Sequence, residues 1–350
     1  MDLAFTFVFL LAFQALLSGP VASMAYGASS NFYVSCLVYG SVFLAFMYLV
    51  SLPLDFITSF VVEHRFGLSR QDLASWARDE AKSSVLSFAL SILCILVFYL
   101  VLRNFPRTWW IIAALAWIFF SVILARLFPV LVIPLFYKYS PVEDARLKEK
   151  IMSLAGKTGI TLTDVCQIDF SRKTRKANAA LTGLGRTCKV ILADTLTSEF
   201  TPDEAEVVVA HELAHFKYRH IWKLLAFSGV MTVAGLFALY LVAGKIVALT
   251  GARAIYDLFL LPVLVLLMAF FGVVLLPAQN FFSRVLEKQA DRFALDVTGR
   301  PADFIAVMRK LAEMNLADVS PSAIKKIFLY NHPPISERIN MAVEWEKTRR

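Results

Sequence analysis

The sequence predicts a mainly α, polytopic membrane protein with about six, or seven, transmembrane helices and a small α+β domain. Three observations lead there. Apolar residues make up 58% of the 350 residues, against about 45–50% in ordinary globular chains. The excess is clustered into runs of roughly 20 residues, the length of a bilayer-crossing helix. Two long polar stretches, whose periodicity alternates between helix and strand, accompany the later runs.

The apolar runs are 3–24, 33–54, 84–102, 108–128, 224–249 and 255–280. The first is rich in small residues from Ser18 to Ala25, as a signal peptide is. It lacks a basic start, because Asp2 is its only early charge. It reads as a retained span, with a cleaved signal as the other reading. The runs divide the chain into an N-terminal membrane region (1–137, four spans), a polar region (138–222), two further membrane helices (223–280) and a second polar region (281–350).

The formal charge is +8. On this chain it points to a lipid bilayer rather than to nucleic acid, since Lys and Arg collect on the cytoplasmic side of membrane proteins. Arg65, Arg70, Arg78 and Lys82 lie in the loop 63–82, and most other basic residues lie in the two polar regions. With six spans these three stretches share one side. The opposite connections hold only Arg103, Arg107, Lys245 and Arg253. The polar regions and both chain ends are therefore expected in the cytoplasm. The protein would be multi-pass, in the inner or plasma membrane if bacterial. Of the four cysteines, Cys36 and Cys94 sit in spans, and Cys166 and Cys188 have no paired spacing. Neither a disulfide framework nor a Cys-based metal site is called for.

Within the first polar region, Leu147, Ile151, Met152 and Leu154 mark a helix that stops at Gly156 and Gly159. A strand is expected over Asp164 to Phe170. Asn178 to Thr182 then leads into Gly183 and Gly185, and a second strand covers Cys188 to Leu192. This predicts a small sheet of two or three strands. Thr201-Pro202-Asp203-Glu204 has the chemistry of a helix start, with Thr at the N-cap and Pro in the first turn.

That helix carries His211-Glu212-Leu213-Ala214-His215. His211 and His215 are four apart, so both imidazoles leave one helix face. Two nitrogens at that spacing suit a tetrahedral zinc ion, and a catalytic zinc site needs a third protein ligand and an open position. Glu212 stands where a general base would take a proton from the water nucleophile. By chance such a pattern arises in on the order of one percent of chains of this length, so other residues must decide. Glu287 and Asp291, also four apart on one helix, supply them. Glu287 can be the third ligand to a single Zn2+ ion, and Asp291 can accept a hydrogen bond from the outer nitrogen of a ligating histidine. Phe281, Phe282, Phe293 and Ala294 mark this helix as largely buried.

At this point the chain resembles the zinc-dependent CAAX prenyl endopeptidases of type I, integral-membrane gluzincins that process farnesylated proteins. The likeness begins at Leu52-Pro53-Leu54-Asp55 and includes Phe60 to Glu63, Phe66-Gly67-Leu68 and Pro134-Leu135-Phe136. It continues through Asn178-Ala179, Val190 to Leu192, Asp194 to Leu196, the His211–His215 helix with His220, and Ser283 to Asp291. It ends at Asn331-His332-Pro333-Pro334 with Glu337-Arg338.

The resemblance implies a small α+β zinc metalloprotease domain. His211, His215 and Glu287 would be the metal ligands and Glu212 the catalytic base. His332 and Arg338 would line the cleft and meet the tetrahedral intermediate, where His and Arg donors can offset the developing charge. Asn178 would bind substrate, and 178–192 would offer a strand edge to a peptide. An intramembrane chamber would suit a lipidated tail. His220 stays outside the ligand set, either behind a ligand or merely interfacial. The chain departs from the pattern at Ala214, where glycine is common, and at Ala180, where an aromatic is typical. Against larger members, the resemblance leads one to expect one leading span fewer, and the compact build resembles prokaryotic members.

The expected function is hydrolysis of peptide bonds near the C-terminus of prenylated or membrane-associated peptide or protein substrates. The alternatives are a membrane quality-control metalloprotease and, from another class, a transporter or lipid-binding membrane protein without catalysis.

Overall fold

A computed structural model describes residues 2–183 and 188–349. Six of its helices are long and apolar enough to cross a bilayer, one for each apolar run. The first four are α1 (Ala4–Ala28), α2 (Phe32–Arg65), α3 (Leu73–Asn104) and α4 (Trp109–Phe136). There follow β1 (Tyr139–Pro141), α5 (Ala145–Lys157), β2 (Asp164–Ile168), β3 (Ala179–Thr182), β4 (Lys189–Ala193), α6 (Asp194–Glu199) and α7 (Pro202–Lys217). The last two membrane-length helices are α8 (His220–Thr250) and α9 (Leu258–Thr298). After them come α10 (Pro301–Met314), α11 (Ala323–Leu329) and α12 (Ile335–Lys347).

The chain divides into two compact units. One comprises Met1–Val62, Leu73–Val122 and Ser228–Leu275. It is held together by apolar contact, with a few polar pins. Phe13, Tyr39, Phe43 and Tyr99 pack in one cluster with Leu258 and Leu261. Inside it the Ser18 hydroxyl donates to the Phe259 carbonyl at 2.7 Å. Ser18 has one proton, so its 2.6 Å contact with Tyr39 must use the tyrosine's. Such pairing satisfies polar groups where lipid offers no partner. Gly235 of α8 lies against Phe271 of α9; a Cβ there would meet the ring at 2.6 Å. Small residues let membrane helices approach this closely.

The other unit comprises Glu63–Asp72, Ile123–Phe227 and Leu276–Arg350. Its sheet has four strands in the order β1-β2-β4-β3, where two or three were expected. The two short strands escaped the pattern because neither has room for alternation. β1 is three residues ending in proline, and β3 begins with two alanines, poor strand formers. β2 stops at Ile168 and β4 begins at Lys189, each within two residues of the expected limits. β4 pairs with β2 in parallel and with β3 antiparallel, leaving β3 at an edge among the described strands. Gly185, expected in the turn after β3, lies outside the described residues. Val190 to Ala193 are buried. Val190 and Leu192 form one core with Leu147, Ile151 and Leu154 of α5, Val209 and Leu213 of α7, and Trp345 of α12.

The start of α7 fixes the helix that matters most for chemistry. Thr201 Oγ1 accepts from the Glu204 backbone N–H at 3.2 Å, and Glu204 Oε2 accepts from the Thr201 N–H at 2.8 Å. This reciprocal box satisfies two backbone donors that a helix otherwise leaves unpaired. Lys310 of α10 also reaches Glu204, at 2.6 Å, and Lys150 and Arg300 both engage Asp203 and Glu206. Thr201→Ala should lower stability by about 1 kcal/mol. The expected reading is a reduced thermal unfolding midpoint of the detergent-solubilised protein without a change in helical content.

Candidate metal centre

His211 and His215 lie one turn apart on α7, and α9 brings Glu287 to them. The three Nε2 and carboxylate donors converge. The two Nε2 atoms are 3.1 Å apart. His211 Nε2 is 3.2 Å from Glu287 Oε2, and His215 Nε2 is 3.5 Å from Glu287 Oε1. Donors about 2.0–2.1 Å from a tetrahedral ion stand about 3.3 Å from one another, and the observed separations bracket that value. Glu287 Oε2 is buried and has no hydrogen-bond partner. An orphaned carboxylate oxygen facing two imidazole nitrogens is costly without a cation. The residues present therefore fit a metal ion, and His211, His215 and Glu287 form the one candidate donor set among the described residues.

Asp291, one turn beyond Glu287, is fully buried. Its Oδ1 lies 2.8 Å from His211 Nδ1. The approach is close but off the ring N–H axis, so charge dominates the contact. Arg338 of α12 binds the same carboxylate with two nitrogens: Nε donates to Oδ2 at 2.8 Å and a terminal nitrogen to Oδ1. Arg338 is itself buried, and both of these bonds go to Asp291.

His332 is placed differently. It is exposed, yet its Nε2 lies 3.4 Å from Glu287 Oε2, at the open margin of the donor set. Two α9 residues secure the segment leading to it. Asn280 donates to the carbonyls of Ile327 and Phe328, and Arg284 to those of Lys326 and Tyr330. Asn178 is exposed just before β3. Its side chain accepts from the Ala179 N–H, and its carbonyl accepts from Ala193. Among the described residues it makes no hydrogen bond to the donor set.

Burial sets the proton affinities. It raises the Glu212 pKa to about 7, and Glu287 pushes the same way against the charge of His211. Burial alone would lower His211, but Asp291 and Glu287 outweigh it and hold the value up at about 10. His215 is lowered to about 4 by burial and then by the charge of His211. His211 thus holds a proton more firmly than His215 does.

Sequence reasoning missed Gln289, which pairs with His220 at 3.0 Å. Two residues from Glu287, it sits about 200° around the helix, so spacing gave no signal. It also overestimated burial of the whole helix: Phe293 and Ala294 are buried, but Phe281 is 63% exposed.

Two histidines and a glutamate on facing helices, with six membrane-length helices among the described residues, define a membrane protein with a candidate metal centre. Comparison with known proteins places it further. Residues 141–346 match the model of peptidase family M48. Residues 1–138 match the CAAX prenyl protease N-terminal model, described as having five membrane helices; four membrane-length helices occupy that stretch here. The uncharacterized metalloprotease YhfN of Bacillus subtilis is 32% identical over 302 residues, 85% of this chain and 71% of that protein. CAAX prenyl protease 1 of Saccharomyces cerevisiae is 29% identical over 317 residues, covering 83% and 68%. The crystal structure of Ste24p from S. mikatae superposes with a TM-score of 0.82 at 25% identity, over 92% of this chain and 80% of that one. The chain belongs to peptidase family M48 and is an integral-membrane metalloprotease of the CAAX prenyl protease type.

Two substitutions test the centre. Glu287→Ala should reduce bound metal well below one ion per chain by elemental analysis. Asp291→Ala leaves the Arg338 charge buried and unpaired, a loss of about 3–5 kcal/mol. The double variant with Arg338→Leu should recover part of that loss, read from unfolding midpoints of the metal-free proteins.

Proposed function

We propose that this protein is a zinc endopeptidase that cleaves near the C-terminus of prenylated or otherwise membrane-associated proteins. His211, His215 and Glu287 hold one zinc ion, and Glu212 is the general base. The observation that carries this reading is the convergence of three donor atoms, with Glu287 Oε2 buried and unpartnered. Two imidazoles and one carboxylate favour zinc over the harder divalent cations. When bound, such an ion supplies Lewis acidity to the scissile carbonyl and to the attacking water.

The chain's own residues do the rest. Glu212 has no hydrogen-bond partner among the described residues, so its carboxylate is free to accept a proton from water. It then delivers that proton to the leaving amine. His332, at the exposed margin, donates to the oxygen on which negative charge develops. Arg338 holds Asp291, which orients His211, so its part in catalysis is indirect. The β3 edge, from Asn178 onward, supports binding of an extended peptide by strand addition.

A membrane setting favours substrates with an apolar tail, because such a tail gains free energy by avoiding water. The distribution of Lys and Arg supports a cytoplasmic position for the two polar regions. A membrane quality-control protease is the competing reading.

The test uses purified protein with a farnesylated CAAX peptide and its unprenylated counterpart, with and without a zinc chelator. Cleavage should require the prenyl group and zinc. Equal cleavage of both peptides, or preferential cutting of unfolded membrane proteins, would favour the competing reading. Glu212→Gln should retain its zinc and lose at least about 100-fold in kcat/KM. Ionised Glu212 is the active form, and a neighbouring cation lowers its pKa from about 7. Activity of the wild type should therefore fall on acidification, with an apparent pKa at or below that value.

A further inference from the structure

The outer nitrogens of the two histidine donors are supported in different ways. His211 faces the Asp291–Arg338 ion pair. His215 faces a neutral partner: its Nδ1 lies 3.0 Å from His220 Nδ1, and His220 Nε2 lies 3.0 Å from Gln289 Oε1. We infer that His220 and Gln289 form a hydrogen-bonded relay that fixes the tautomer and orientation of His215 and so sets how tightly the centre holds its metal. This rests on the proposal that His211, His215 and Glu287 are the zinc ligands.

The proton count has one solution. A His215 that offers its Nε2 lone pair to a metal carries its proton on Nδ1. That proton is donated to His220 Nδ1, which must then be an acceptor. The His220 proton is left on Nε2, where Gln289 Oε1 accepts it. Every ring nitrogen in the relay has a role, and no net charge is needed. The opposite tautomer of His220 would set two N–H groups against each other at 3.0 Å.

The backbone is shaped to make this contact. In an unbroken helix, residues five apart point about 140° away from each other. His215 and His220 could not then touch. The chain instead leaves α7 after Lys217, and Arg219 takes a left-handed conformation with φ of 54°. α8 begins at once with His220. A non-glycine residue rarely adopts that conformation, since its Cβ crowds the backbone. Here it turns His220 back toward His215. Tyr218 stacks on the His220 ring at 5.9 Å and makes an edge contact with Phe293, which holds the ring plane. His220 is 1% exposed. A purely interfacial histidine would not require both nitrogens to be paired within the protein.

His220 and Gln289 are thus positioning residues, and zinc affinity is the readout. Zinc dissociation constants would be measured by chelator competition on wild type, Glu287→Ala, His220→Leu, His220→Asn and Gln289→Leu. Unfolding midpoints of the zinc-free forms would be recorded alongside. His220→Leu should bind zinc about 10- to 100-fold more weakly, as loss of such outer partners does elsewhere. His220→Asn, whose Oδ1 can accept from His215 Nδ1–H, should recover most of the affinity. Gln289→Leu should show a smaller loss of the same sign, and it carries the test if His220→Leu does not fold. Wild-type affinity in His220→Leu, or an Asn variant no better than Leu, overturns the inference. Undiminished affinity in Glu287→Ala would instead overturn the ligand assignment beneath it.

Discussion

A carboxylate with no access to water stands at the centre of this structure. Asp291 is fully buried, and an unpaired charge in such a place would neutralise or unfold its surroundings. Arg338 from α12 and His211 from α7 remove that cost together. Three helices that are distant in sequence are thereby tied at one point. The same carboxylate lies 2.8 Å from the outer nitrogen of His211, so the interaction that makes the fold tolerable also reaches the candidate donor set.

The metal centre draws on the ends of membrane-length helices. Glu287, Gln289 and Asp291 lie in the last turns of α9, and His220 is the first residue of α8. A helix whose length is set by the bilayer is a rigid mount, and rigidity is what a three-point donor set requires. α9 also secures the segment before His332 through Asn280 and Arg284. One helix therefore supplies a candidate donor, Glu287, the Asp291 carboxylate beside His211, and the bonds that secure the segment before His332.

The two histidines differ in their backing although they are equivalent in the sequence pattern. One leans on an ion pair and the other on neutral groups. A carboxylate partner raises the basicity of the imidazole it binds more than a neutral acceptor does. The two imidazoles of the candidate centre are therefore not equivalent in their surroundings.

The sequence by itself determined the six membrane helices, because length and apolarity are local properties that a bilayer reads directly. It also determined the pairing of His211 with His215 and of Glu287 with Asp291, since four-residue spacing on a helix leaves no choice of face. The Thr201 cap was legible for the same reason. Tertiary structure decided what spacing cannot encode. It set Arg338 against Asp291 in a two-nitrogen ion pair. It brought Gln289 to His220 and, through one left-handed residue at Arg219, His220 to His215. It also paired β1 and β3, whose few residues carry no period, with strands strong enough to hold them. Local pattern governs which face a side chain leaves from; only packing governs what it meets.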